Sequence, residues 1–158
     1  MNAFTNEIIM RSSFSIIFVY LILLFSNSTA FAQPSQPQTR FYIIKTNRLL
    51  GVAHMTVKRT QKFTGDLALA VRHERKALAL YEAKDFTTAI YHSKRCRTLC
   101  LKIFSENKIK LPMDAKYTAD EEALAAQSPS EDVLDKNLEN TELKDQDFMN
   151  GNMQVDIK

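Results

Sequence analysis

Residues that reverse the chain are so scarce here that they nearly decide the fold class: 158 residues hold three glycines, four prolines and no tryptophan. A β-sandwich turns roughly every 8–12 residues and draws on glycine and proline to do so. A chain this poor in both is expected to be all-α. Two cysteines, Cys96 and Cys100, are too few for the disulfide-stapled miniature folds that small exported chains often adopt.

The N-terminal segment reads as an export signal. The apolar run Phe14 to Phe25 covers 12 residues, where a membrane span needs roughly 20. Arg11 precedes it, the polar stretch Ser26 to Thr29 follows, and the small residues Ala30 and Ala32 suit a signal peptidase, so residues 1–32 are expected to leave and Gln33 to become the N-terminus. The alternative is an uncleaved anchor over Ile8 to Ala32, which Arg11 and the Ser-Asn-Ser-Thr segment disfavour. The mature chain is thus expected to be periplasmic or secreted, with no stable membrane span after cleavage. That location argues against nucleic acid as a partner and against nucleotide-driven chemistry.

The remaining residues divide by charge. Residues 33–112 carry 16 Lys and Arg against five Asp and Glu, a net of +11, while residues 113–158 carry four against 12, a net of −8. A basic body bears an acidic tail.

Within the body, residues 33–40 are proline-bearing and polar and are expected to be a flexible leader. Apolar residues recurring every three or four positions predict helices over 42–62, 67–84 and 87–107. Thr64-Gly65-Asp66 separates the first two, with Asp66 expected to cap the second. The apolar residues of the second helix cover roughly 200° of the wheel, so it should have neighbours on two sides. In the third, Ala89, Ser93, Cys96, Cys100 and Ile103 form a narrow stripe of mostly small residues that allows close helix approach. In the tail, Thr118-x-x-Glu121 and Ser128-x-x-Glu131 are capping-box patterns, predicting short helices at 120–126 and 129–138, with disorder beyond Glu139.

Leu80 to Cys96 (LYEAKDFTTAIYHSKRC) resembles the centre of a tetratricopeptide repeat, with Ala77, Tyr81, Phe86, Ala89 and Cys96 at its small and aromatic packing positions. His73 and Lys76 stand where that repeat is bulky and apolar, Lys84 replaces its turn glycine, and no second copy follows at its repeat length of about 34 residues. The resemblance implies one antiparallel helical hairpin rather than a peptide-binding superhelix. The segment from Thr64 to Lys108 also resembles a group of small exported bacterial proteins of unknown function, which implies no activity.

No nucleophile-elbow serine, His-Glu-x-x-His pair or glycine-rich phosphate loop is present. The chain is therefore expected not to be an enzyme, to hold no cofactor and to have no catalytic residues. Cys-x-x-x-Cys followed by Leu101 lacks the haem-attachment pattern. Asp145, Asp147, Asn150 and Gly151 imitate a calcium loop, but the glycine is one place late and no glutamate closes it. Two signals remain. Arg72, Arg75 and Lys76 on the second helix, with Lys94, Arg95, Arg97 and Lys102 on the third, form a candidate surface for an anionic partner: an acidic envelope protein, an anionic envelope polymer, lipid headgroups, or the chain's own tail. The alternative is a soft-metal or redox site of His73, His92, Cys96 and Cys100, three of which lie four residues apart on one helix. The bland reading of the thiols is that they fill the helix contact. A body of about 70 residues buries little surface, so self-association or dependence on a partner is also expected. The function expected is that of a non-enzymatic exported interaction module of the bacterial envelope.

Overall fold

A computed structural model of the chain describes residues 33–138 and 142–150; the expected signal peptide over 1–32 and the last eight residues lie outside them. The described residues are all-α, with no strand among them. Three long helices, α1 (Gln36–Thr60), α2 (Asp66–Glu82) and α3 (Phe86–Glu106), run up, down and up. A 3-10 turn at Met113–Ala115, two six-residue helices, α4 (Ala119–Leu124) and α5 (Glu131–Lys136), and a second 3-10 turn at Asp145–Phe148 follow. No described helix is long and apolar enough to cross a membrane.

α1 begins six residues before the expected helix start at 42, inside the segment read as a leader. Ser35 and Gln38 form a capping box: the Ser35 hydroxyl accepts from the Gln38 amide, and the Gln38 side chain accepts from the Ser35 amide at 2.9 Å. Pro37 sits in the first turn, where its fixed φ suits a helix and its missing N–H costs nothing. The prolines that suggested an extended leader instead start the helix.

α2 and α3 form an antiparallel hairpin whose bounds match expectation within two residues. α2 ends in a Schellman arrangement: Lys84 takes the left-handed conformation at φ 65°, its N–H donates to the Tyr81 carbonyl, and that of Asp85 to Leu80. Asp85 then caps α3 by accepting from the Thr88 amide at 3.2 Å. At the end of α3, Lys108 repeats the device at φ 53°.

The principal core lies between the three long helices. Leu49, Leu50, Ala53 and Val57 of α1 meet Leu67, Ala70 and Val71 of α2 and Cys96, Leu99, Cys100, Ile103 and Phe104 of α3. Phe148 from the tail closes one end of this core, and its carbonyl oxygen lies 2.8 Å from His54 Nε2. At the other end Ala125 of the tail packs with Tyr42 and Ile90. Body and tail therefore share a core, and the described residues form one compact unit. Residues 142–150, beyond Glu139 and expected to be disordered, hold a defined turn; residues 151–158 lie outside the described residues.

Candidate interaction surface

The basic residues named from sequence end up in three different situations. Arg97 is the largest fully buried side chain, so its assignment to a partner-facing surface is corrected. Its guanidinium packs against two neighbouring rings, 4.7 Å from the centroid of Tyr42 and 4.7 Å from that of Tyr117, whose centroids are 6.5 Å apart. Nη1 and Nη2 both donate to Glu121 Oε1 at 3.1 Å, and Nε donates to the Thr46 hydroxyl at 3.3 Å. Glu121 uses its other oxygen to accept from Lys45 Nζ at 2.9 Å and from the Thr118 amide at 2.8 Å. One carboxylate thereby joins α1, α3 and the N-terminus of α4. Burial pushes the Glu121 carboxyl up, but Lys45, the Thr118 amide and Arg97 outweigh it and hold it below the usual carboxylate range. Arg97 is inside because α3 is covered from two sides: α2 takes the small stripe and α1 the adjoining sector.

Arg95, one turn edge away, is engaged differently. Its Nε and Nη2 form a fork on Asp135 of α5 at 2.9 and 2.8 Å, and Nη1 pairs with Glu131. The Arg95 side chain is 11% exposed, whereas that of Glu131 is 58% exposed. Lys102 pairs with Asp66 at 2.9 Å. Lys94 Nζ donates to the Ala125 carbonyl at 3.1 Å. On α2, the Arg75 guanidinium stands 5.5 Å from the Phe148 ring centroid, Lys76 is half-buried near His92, and Arg72 is half-buried beside them. Most of the cations expected to face a partner are therefore met by the chain's own acids, carbonyls or rings.

The residues of the metal alternative separate into two groups. His73 and His92 meet across the hairpin, Nδ1 to Nδ1 at 2.9 Å, and His73 Nε2 lies 2.9 Å from Asp135 Oδ1. An ionised Asp135 only accepts, so His73 carries its proton on Nε2 and its Nδ1 takes a hydrogen bond from His92 Nδ1–H. Both imidazoles are neutral in that arrangement. Burial, ahead of the opposing Asp135, lowers the pKa of His73 to about 4, and burial with the nearby Lys76 charge lowers that of His92. Asp135 is pushed up by burial but held down overall by Arg95 and His73.

Cys96 and Cys100 are free thiols buried in the principal core. Burial, then Cys100 and Glu74, push the Cys96 thiol well up, which keeps it protonated and a poor metal ligand. Among the described residues no set of three or more His, Cys, Asp or Glu is arranged to hold a metal ion.

Several roles here were not read from the sequence. Glu74 is fully buried between α2 and α3, with the Ser93 hydroxyl 3.5 Å from Oε1 and no partner for Oε2 among the described residues. Asp145 accepts from the amides of Gly65 and Ala68, both at 2.8 Å, and so caps α2 from 80 residues away. Asp66, the expected cap, is instead in the first turn, accepting from Thr64 and Lys102. The excess of acids in the tail was the available signal for this docking, but it specified neither partners nor register. The chain matches no protein-family model, no curated protein and no solved structure.

Proposed function

We propose that the chain is a non-enzymatic helical interaction module, exported to the bacterial envelope, which takes up an acidic partner by exchanging it for its own α5 segment. The partner is an envelope protein or an anionic envelope polymer presenting carboxylates or phosphates. The observation that carries this reading is the Arg95 fork. A planar guanidinium already oriented on α3 is held by two carboxylates of a six-residue helix, and one of those carboxylates is largely exposed. A helix this short has little stability of its own. Its position depends on Leu134, which is buried, on the Arg95 charge and on the hydrogen bond from His73 Nε2–H to Asp135. An incoming anion that offers Arg95 the same fork competes with an effective concentration rather than with a covalent constraint.

The test compares residues 33–158 with the double variant Glu131→Gln, Asp135→Asn for binding to an immobilised polyglutamate peptide at low salt. The variant should bind severalfold more tightly, because Arg95 is released. Two controls separate this from a simple gain of net charge. Asp120→Asn with Glu122→Gln changes the net charge equally at exposed positions away from Arg95 and should gain much less. Adding Arg95→Gln to the α5 variant should abolish its gain. Equal gains in the α5 variant and the control would overturn the exchange reading.

A further inference from the structure

A group of cations that the tail leaves uncovered lies on α1. From Gln36 to Thr60 that helix contains Arg40, Lys45, Arg48, Lys58 and Arg59 and no acid; the chain has none between Glu7 and Asp66. Lys45 is held by Glu121, but Arg40, Arg48, Lys58 and Arg59 are exposed with no described carboxylate in ion-pair range. The same outward side carries large apolar side chains. Phe41 is 64% exposed, Met55 61% and Val52 40%. Phe41, Arg48, Val52, Met55 and Arg59 follow one another at spacings of three, four or seven, which places them on one strip about 27 Å long. Two shallow depressions open along it. One is lined by Arg40, Phe41 and Ile44, the other by Val52, Met55, Arg59 and Ile109.

We infer that this strip docks flat on an anionic lipid bilayer, the bases meeting phosphate headgroups and Phe41, Val52 and Met55 entering the boundary of the acyl region. Three properties select a bilayer over the acidic partner proposed for Arg95. The strip is the convex back of a helix, which a planar surface covers without a complementary groove. Its cations have no competing carboxylate to displace. Its apolar side chains gain nothing from a soluble polyanion, whereas a headgroup interface accommodates both components of a basic amphipathic helix. The strip is separate from the α5-covered Arg95, and the inference does not rest on the exchange reading.

The experiment is vesicle co-sedimentation of residues 33–158, whose described residues form a compact unit of their own, with phosphatidylcholine vesicles lacking or containing phosphatidylglycerol. Binding is expected only to the anionic vesicles and should weaken as salt rises. Arg48→Gln with Arg59→Gln should lower the partition constant about 25-fold, since each base near an anionic surface is worth about 1 kcal/mol, or about fivefold. Met55→Gln should lower it severalfold with the charge unchanged. All three positions are outward-facing on α1, and unchanged circular dichroism will report that the variants fold. Absence of sedimentation, equal binding to both vesicle types, or a double variant that binds like the parent would overturn the inference. So would sensitivity to the arginines with none to Met55, which would reduce the contact to charge alone. Glu131→Gln with Asp135→Asn, placed on the α5 face, distinguishes this outcome from failure of the exchange reading.

Discussion

Glu74 shows how burial sets the pH behaviour of a single residue. It is enclosed between α2 and α3, and burial, only partly offset by Ser93, Cys96 and Arg97, raises its pKa to about 8. The folded state therefore holds the proton that the unfolded chain loses near its ordinary value of 4.5. Stability from this group is complete below that value and declines as pH rises toward 8. His73 acts in the opposite sense: lowered from 6.5 to about 4, it leaves stability intact above 6.5 and removes it as pH falls. His92, also lowered, adds to the acid-side loss. The unfolding free energy from urea titration is expected to peak at about pH 6 and to fall by roughly 2–4 kcal/mol toward pH 8, from the pKa shift of Glu74. Glu74→Gln keeps the shape without the titration and should flatten the alkaline limb while leaving the acid limb in place. An unchanged alkaline limb in this variant would refute the assignment. In the sequence Glu74 stands beside Arg75 and Lys76 and reads as part of a solvated face. It was illegible because burial of α2 on two sides widens its inward sector beyond the apolar positions themselves.

At the scale of elements, the sequence specified helices well and their partners poorly. The two hairpin helices were legible because their apolar spacing and the Gly65 break both act within one or two turns. So was α4, from a capping pattern that operates over three residues; α5 forms near its expected place, but it starts at Glu131 behind Ser130, which makes no side-chain cap bond, and the expected Ser128–Glu131 box is absent because Ser128 donates to the Pro129 carbonyl instead. The capping box gave Thr118 and Glu121 a local role, which they have, but not the second role of Glu121 as counter-ion to Arg97. That depends on where α4 lands, and landing is a long-range property. The N-terminus of α2 is the sharpest case. Gly65 offers no side chain, and the single carboxylate of Asp145 satisfies both the N-cap amide and the amide three residues on, the two bonds that a local capping box divides between two side chains. Asp145→Ala should therefore destabilise residues 33–158 by about 1–2 kcal/mol, the range for loss of an N-cap. Amide exchange at Ala68 should accelerate along with it. A stability loss without faster exchange there would mean that the substitution acts through the tail rather than through the cap of α2.

Over the whole molecule, the +11 body and −8 tail are joined by contacts of unequal depth, and this decides how they answer to salt. The bridge of Glu121 to Arg97 and Lys45 is enclosed, with the Glu121 side chain 5% exposed, and two aromatic rings pack against the guanidinium. Mobile ions cannot enter it, so screening has little effect. The pairs that hold α5 lie at the surface, with Asp135 28% exposed, and the screening length shrinks from about 10 Å at 0.1 M salt to about 3 Å at 1 M. The tail is therefore not one strap but two: α4 is built into the core, and α5 is fastened mainly by screened charge and Leu134. Raising salt from 0.1 M to 1 M should speed amide exchange across Glu131–Lys136 several-fold while leaving α4 and the three long helices unchanged. The same rise should expose His73, whose Nε2 loses Asp135, and should shift its NMR titration toward the ordinary histidine range. If α4 and α5 respond together, the acidic segment docks as one unit, and release of Arg95 by an incoming anion would then require opening the Tyr42–Arg97–Tyr117 cluster as well.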